Sequence, residues 1–133
     1  MILLVLLVLA LFVIQTILPG RFREPAAPGN PGMLAENVGN RDHVRPLTLV
    51  GQRAARALAN MHEALPVFLA LALMNMIAGS AAAMAVTGAL VFLIARVLYV
   101  PLYLSGVSWL RSLVWSVGWI GLILMLIPLL DRA

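Results

Sequence analysis

Arg53, Arg56, Asn60 and Glu63 stand at relative positions 0, 3, 7 and 10 and run directly into the apolar stretch from Ala64 to Ala78. At about 100° per residue, a helix places all four within a sector of roughly 80°. Charged groups at the mouth of a membrane helix are costly unless they pair with one another or hold a ligand, so this polar stripe is a candidate site. Arg96, Tyr99, Tyr103 and Gly106 repeat the same spacing further along the chain and define a second stripe at a similar depth. Arg111 supplies a third wall. In the first turn of a helix that begins near Ser108, its charge opposes the helix dipole at a cost of about 0.3 to 1 kcal/mol, which a bound anion would reverse. The unpaired N–H groups of that helix start favour an anion as well. Arg53, Arg56, Arg96 and Arg111 as cations, Glu63 as the carboxylate, Asn60 as an amide and two phenols suit a small, mostly anionic ligand that carries one amine.

The elements that must position these groups are membrane helices. A chain of 133 residues that is 63% hydrophobic and 11% charged, with mean hydropathy +1.05, has more apolar surface than one small soluble core can hide. Four apolar segments are legible, at about 1–18, 48–78, 81–104 and 108–130. The first is just long enough to span, has Gln15 as its strongly polar residue, and lacks the basic start and small-residue cleavage site of a signal peptide. The last three are joined by short connections, which makes them antiparallel neighbours. The expected fold is therefore an all-α integral membrane four-helix bundle forming one domain over 1–133. Pro66 and Pro101 each free the carbonyl four residues earlier, at His62 and Val97, and predict a kink in the second and third helices.

Residues 19–47 are rich in proline, glycine and asparagine and read as a loop. Arg21, Arg23, Arg41, Arg45, Arg53 and Arg56 cluster in or beside it, Arg111 lies beside the turn after the third helix, and the turn near Gly79 has no charge. The positive-inside rule then makes the long loop cytoplasmic and turns both termini outward.

The same residues admit blander roles. Arg56 and Glu63 neutralising one another, Arg96 and Arg111 reaching lipid phosphates, and Tyr99 and Tyr103 in an interfacial aromatic belt would also account for the stripes. Met74, Met76, Trp109, Trp115 and Trp119 read as lipid-facing or packing residues, and Gly88, Gly118 and Gly121 as points of close helix contact. His43 and His62 lack accompanying carboxylate or cysteine ligands, so no metal is expected, and Asp42 with His43 makes no triad with a serine. There is no cysteine, which excludes disulfides and a thiol nucleophile of the chain's own. The pI near 11.2 comes from arginines scattered among apolar helices, which is not the pattern of a nucleic-acid surface.

The run Arg53-Ala-Ala-Arg56-Ala-Leu-Ala-Asn60-Met-His-Glu63-Ala-Leu-Pro66-Val-Phe68 resembles the signature of the MAPEG family, membrane-associated proteins in eicosanoid and glutathione metabolism. The block Ala95-Arg96-Val-Leu-Tyr99-Val-Pro-Leu-Tyr103-Leu-Ser-Gly106, followed by Trp109-Leu-Arg111-Ser112, is similar in the same way and stands in the expected order. The resemblance covers the whole four-helix layout and is nearest to the bacterial branch, which implies the bacterial inner membrane. It also implies a homotrimer with sites between subunits near the cytoplasmic side, and glutathione as co-substrate. On the matching positions, Arg56, Asn60 and Glu63 would contact the tripeptide, with Tyr99 and Tyr103 joining from the third helix and Arg111 stabilising the thiolate as the catalytic residue; the stripes derived above add Arg53 and Arg96 to the expected glutathione-binding set. A cation beside a thiol lowers its pKa, and the thiolate is the nucleophile. Two departures stand out: Ala64 follows Glu63 where many members have asparagine or tyrosine, and the first loop is longer and richer in proline than in several catalytic members.

The reading that follows is a glutathione-binding membrane protein that conjugates the thiol to a lipophilic electrophile drawn from the bilayer or reduces a lipid hydroperoxide. Two other readings stand beside it. One is a non-catalytic accessory or scaffold subunit of a larger membrane complex on the same fold. The other is a proton-coupled exporter using Glu63, which would place its essential carboxylate in the first helix, where there is Gln15 instead.

Overall fold

Four helices cross the computed structural model, which describes residues 1–25, 38–39, 44–79 and 83–131. They are α1 (Ile2–Arg21), α2 (Leu49–Ile77), α3 (Ala83–Ser105) and α4 (Ser108–Leu130). Each is long and apolar enough to span a bilayer, with mean hydropathies of 2.9, 1.5, 2.1 and 2.3 in chain order. Hydrocarbon offers no partner for backbone N–H and C=O groups, and a helix satisfies them within itself. The chain is an integral membrane four-helix bundle of the all-α class. Arg41, Asp42, His43 and Arg132, the middle of the first loop and the start expected for the third segment at residue 81 lie outside the described residues.

The first helix is longer than the proline signal suggests. α1 continues through Pro19 and Gly20 to Arg21. Pro19 has no N–H for the carbonyl of Gln15, but its own carbonyl accepts the N–H of Phe22 at 3.2 Å and closes the last turn. α2 and α3 likewise run unbroken through Pro66 and Pro101. A proline in a membrane helix removes one bond and leaves the rest of the ladder intact.

Just beyond α1 the chain is clasped to the start of α2. Arg23 and Leu47 form an antiparallel bridge, the Glu24 N–H reaches the Pro46 carbonyl at 3.0 Å, and the Thr48 N–H reaches the Phe22 carbonyl at 2.9 Å. Two arginine side chains cross the same clasp, Arg23 donating to the Arg45 carbonyl at 2.6 Å and Arg45 to the Glu24 carbonyl at 3.0 Å. The Thr48 hydroxyl donates to the Phe22 carbonyl and accepts the Gly51 N–H, so one side chain ties the clasp and caps α2. The loop therefore enters and leaves at one point, which fixes the register of α1 on α2.

The 29 residues of α2 extend about 43 Å at 1.5 Å per residue, about two turns more than a hydrocarbon core of ~30 Å needs. Arg53 and Arg56 fall within the first two turns of α2, and Asn60 and Glu63 in the two turns that follow. Deeper in, Val8, Met61, Phe68, Phe92, Leu122 and Met125 form a core from all four helices, with the Phe68 and Phe92 rings stacked at 4.7 Å. Asn75 is wholly buried in this apolar layer. Its amide donates to the Leu71 carbonyl of its own helix and across to the Met125 carbonyl of α4, both at 2.8 Å.

The most extensive helix contact is between α3 and α4, and it is made by glycine. A Cβ on Gly88 would lie 2.5 Å from the Gly121 carbonyl oxygen, and one on Gly121 would lie 2.7 Å from that of Gly88. Absent side chains let the two backbones touch, which replaces the hydrophobic drive that lipid cannot supply. Gly88→Ala is expected to destabilise the detergent-purified protein by about 1 to 3 kcal/mol through overpacking against backbone. Gly20→Ala, where an added Cβ meets nothing within 4 Å, should cost nothing. Paired thermal melts followed by tryptophan fluorescence check this contrast, and equal losses would refute it.

Candidate functional site

Where α2 enters the bundle and α3 turns into α4, the helices leave an open cleft of about 340 Å³. Asn60 faces it from α2, and Tyr99 and Tyr103 from α3. Arg111, Ser112, Trp115 and Ser116 complete it from α4. Helical period explains the grouping: Tyr99 and Tyr103 are one turn apart, as are Arg111 and Trp115 and the two serines. The structure thus brings together four of the residues singled out by spacing, Asn60, Tyr99, Tyr103 and Arg111.

The Arg111 guanidinium lies over the Tyr103 ring at 4.6 Å from its centroid. The aromatic face attracts the cation and holds it at the cleft wall despite its unfavourable place in the first turn of α4. Tyr103 in turn meets Tyr99 edge to face at 5.3 Å, and both are buried at the ring with Ala57 of α2 behind them. Asn60 uses one amide hydrogen on the Arg56 carbonyl at 3.0 Å. Its oxygen and second hydrogen remain for a ligand.

The remaining stripe residues separate by role. Arg53 donates to the Leu104 carbonyl at 3.0 Å and packs against Gly106, whose φ of +84° makes the tight turn between α3 and α4. It occupies one of the free carbonyls at the end of α3 and does not line the cleft. Arg56 and Glu63 are exposed on the surface of the single chain, one turn either side of Asn60, and no ion pair joins them among the described residues. Within the single chain, then, the two charges do not meet. His62 turns away from the stripe, with its Nδ1 3.0 Å from the Leu58 carbonyl and its ring edge against Phe12 of α1. Among the described residues no group of three or more His, Asp or Glu side chains converges as a metal site would require.

Arg96 has the least ordinary environment in the chain. It is 2% exposed, and all three guanidinium nitrogens lack a hydrogen-bond partner. Its planar head lies between aromatic rings, 5.1 Å from the Phe92 centroid and 5.6 Å from that of Tyr99. Gly118 of α4 lies beside it, and a Cβ there would meet Nε at an ordinary contact distance of 3.8 Å. Ring faces attract a cation but do not replace five N–H bonds. Phe68, Phe92, Arg96, Tyr99, Tyr103 and Arg111 therefore form an unbroken sequence of ring and cation contacts from the bundle core to the cleft.

Sequence reasoning missed Ser112, Trp115 and Ser116 as cleft residues, and it assigned Trp115 to lipid or packing. A signal was present: Ser108, Ser112 and Ser116 are spaced four apart on the helix that carries Arg111. Spacing alone does not tell which face of α4 meets α2 and α3.

Burying an unpaired cation is unfavourable, and replacing it by an apolar chain of similar length is typically neutral or stabilising. Arg96→Met is expected to raise the melting temperature of the ligand-free protein while lowering its affinity for an anionic ligand. A melting temperature reduced as much as by a core truncation would show that Arg96 has a full set of partners.

The sequence model of the MAPEG family matches residues 1–130. No curated protein and no solved structure gives a match.

Proposed function

Because the chain belongs to the MAPEG family, we propose that it binds glutathione in the cleft and uses the thiolate on a lipophilic molecule that enters from the bilayer. The observation that carries this reading is the convergence of Arg111, Tyr103, Tyr99 and Asn60 on one cleft. It offers a cation, two phenols and an amide at the edge of a membrane domain, and those are the groups that an anionic thiol peptide needs.

The chemistry follows from the side chains. A guanidinium beside the thiol favours the ionised form and lowers the thiol pKa by roughly one to three. The chain has no cysteine of its own, so the nucleophilic sulfur has to come from the bound peptide. The Tyr103 ring keeps Arg111 in place, and the two phenols donate hydrogen bonds to negative charge that develops on the second substrate. The product is a thioether where the electrophile accepts carbon–sulfur bond formation, or an alcohol where it is a hydroperoxide.

Arg56 and Glu63 face outward from the single chain, at a depth where lone charges are unfavourable. In our reading a neighbouring copy covers them, so that each site is shared between subunits of a homotrimer. Arg56 then binds a carboxylate of glutathione and Glu63 its ammonium, with Arg53 and Arg96 adding positive potential from the turn and from behind Tyr99. The cleft opens on the cytoplasmic side of the bacterial inner membrane, and both termini lie on the far side.

An ultraviolet titration of the detergent-purified oligomer with glutathione at neutral pH is expected to give saturable thiolate absorbance, lost in Arg111→Ala. Glu63→Gln should weaken glutathione binding roughly tenfold, as expected for loss of a charge-assisted contact. Absence of any thiolate signal from an intact oligomer would sink this reading in favour of a scaffold role. Native mass spectrometry should give a mass of three chains, and a monomer that still bound glutathione at full affinity would exclude the shared site.

A further inference from the structure

Three arginines are gathered at the clasp between α1 and α2, and the cleft uses none of them. Arg21 is exposed in the last turn of α1. Arg23, two residues on, gives Nη1 to the Arg45 carbonyl at 2.6 Å, while its Nε is enclosed and has no hydrogen-bond partner. Arg45 gives Nη1 to the Glu24 carbonyl at 3.0 Å. A carbonyl orients a guanidinium without supplying an opposing charge. Across 21–25 and 44–48 the three arginines stand against a single carboxylate, that of Glu24. Cations held together at the edge of hydrocarbon are unfavourable until an anion joins them. Two other cations toward this end are turned elsewhere, Arg53 to the Leu104 carbonyl and Arg111 to the Tyr103 ring.

The face of α1 that leads to Arg21 is apolar and open. Ala10, Ile14, Ile17 and Arg21 are spaced 4, 3 and 4 apart, which puts them on one side of the helix, and all four are exposed. Ile14 and Ile17 are each 60% exposed. From Arg21 back to Ala10 the stripe runs about 16 Å at 1.5 Å per residue, close to the ~15 Å depth of one leaflet's hydrocarbon. A cation at the end of such a stripe lies at headgroup level, with room for an acyl chain along the helix below it.

We propose that the clasp is a binding site for the phosphate headgroup of an anionic phospholipid. Guanidinium groups match the geometry of phosphate oxygens and bind them with paired, charge-assisted bonds. Arg21 and Arg23 reach the phosphate from the end of α1, and Arg45 adds its charge from the segment that enters α2. The surplus of guanidinium over carboxylate favours a headgroup with net negative charge over one balanced by its own ammonium. A phosphate held there joins α1 to α2 and reinforces the tie made by Thr48 and the backbone bridge. This site is separate from the cleft and does not rest on the thiol-binding reading.

The test uses the delipidated full chain in detergent, titrated with phosphatidylglycerol and phosphatidylcholine of identical acyl chains. Bound lipid is counted by native mass spectrometry, and the melting temperature is followed by tryptophan fluorescence. The wild type should bind phosphatidylglycerol at least roughly tenfold more tightly than phosphatidylcholine, since each arginine near the surface contributes about a fivefold preference for an anionic lipid. Phosphatidylglycerol should also raise the melting temperature more. Arg21→Gln touches no bond of the clasp and should reduce the preference roughly fivefold, and Arg21→Gln/Arg23→Gln should remove it. Arg111→Gln, which alters the net charge equally but lies outside the clasp, should leave the preference intact. Equal binding of the two lipids by the wild type overturns the proposal. So does a preference that falls as far in Arg111→Gln as in Arg21→Gln, because the attraction then belongs to the charge of the whole chain. A rise in melting temperature that inorganic phosphate reproduces at the same concentration overturns it as well, in favour of a soluble anion.

Discussion

Gly88 and Gly121 press two backbones together in a medium where apolar side chains gain nothing by leaving their surroundings. Lipid tails are as apolar as leucine, so the bundle depends on close approach and on a few polar ties rather than on the exclusion of water. The glycine contact draws α3 and α4 into one unit. Asn75 ties that unit to α2 through the Met125 carbonyl, and the Thr48 clasp ties α2 to α1. Arg53 locks the turn that joins α3 to α4. Of these ties, Arg53 meets a carbonyl in the last turn of α3 that has no helical partner.

The cleft inherits its geometry from this frame. Stacked phenylalanines in the core carry the Arg96 head, Arg96 sits against Tyr99, Tyr99 against Tyr103, and Tyr103 under Arg111. A shift of α3 against α4 would therefore move Arg111 as well as the core. The same arrangement explains why an unfavourable buried cation sits where it does. In the proposed reading Arg96 adds positive potential behind the phenols while lying outside the cleft lining, at the expense of an unsatisfied guanidinium. Functional sites commonly retain such local destabilisation.

Much of the fold was legible because a bilayer leaves a chain few options. Segments of the length and hydropathy seen here must be helices, and short connections between them must reverse direction. The site was legible in part, for a related reason: a polar residue in such a segment stands out against its background. Asn60, Tyr99, Tyr103 and Arg111 were visible in that way and share the cleft. Arg53 was visible too, yet its guanidinium closes a turn. Nothing in its spacing separates a ligand-facing arginine from one that caps a helix end. Asn75 is a single amide within an apolar run, and its partner fifty residues away is a backbone carbonyl that no side-chain pattern reveals.

The sequence by itself determined the class of protein, the number of spans, the family and the inventory of groups available for chemistry, because hydropathy and helical period are local properties of the chain. Tertiary structure alone decided which of those groups meet. The register of α1 is set by a clasp between residues distant in sequence. The face that α4 offers to the cleft is set by where two glycines allow its backbone to rest on α3. That contact placed Ser112, Trp115 and Ser116 in the site, since the rotation of a helix about its own axis is fixed by what it packs against.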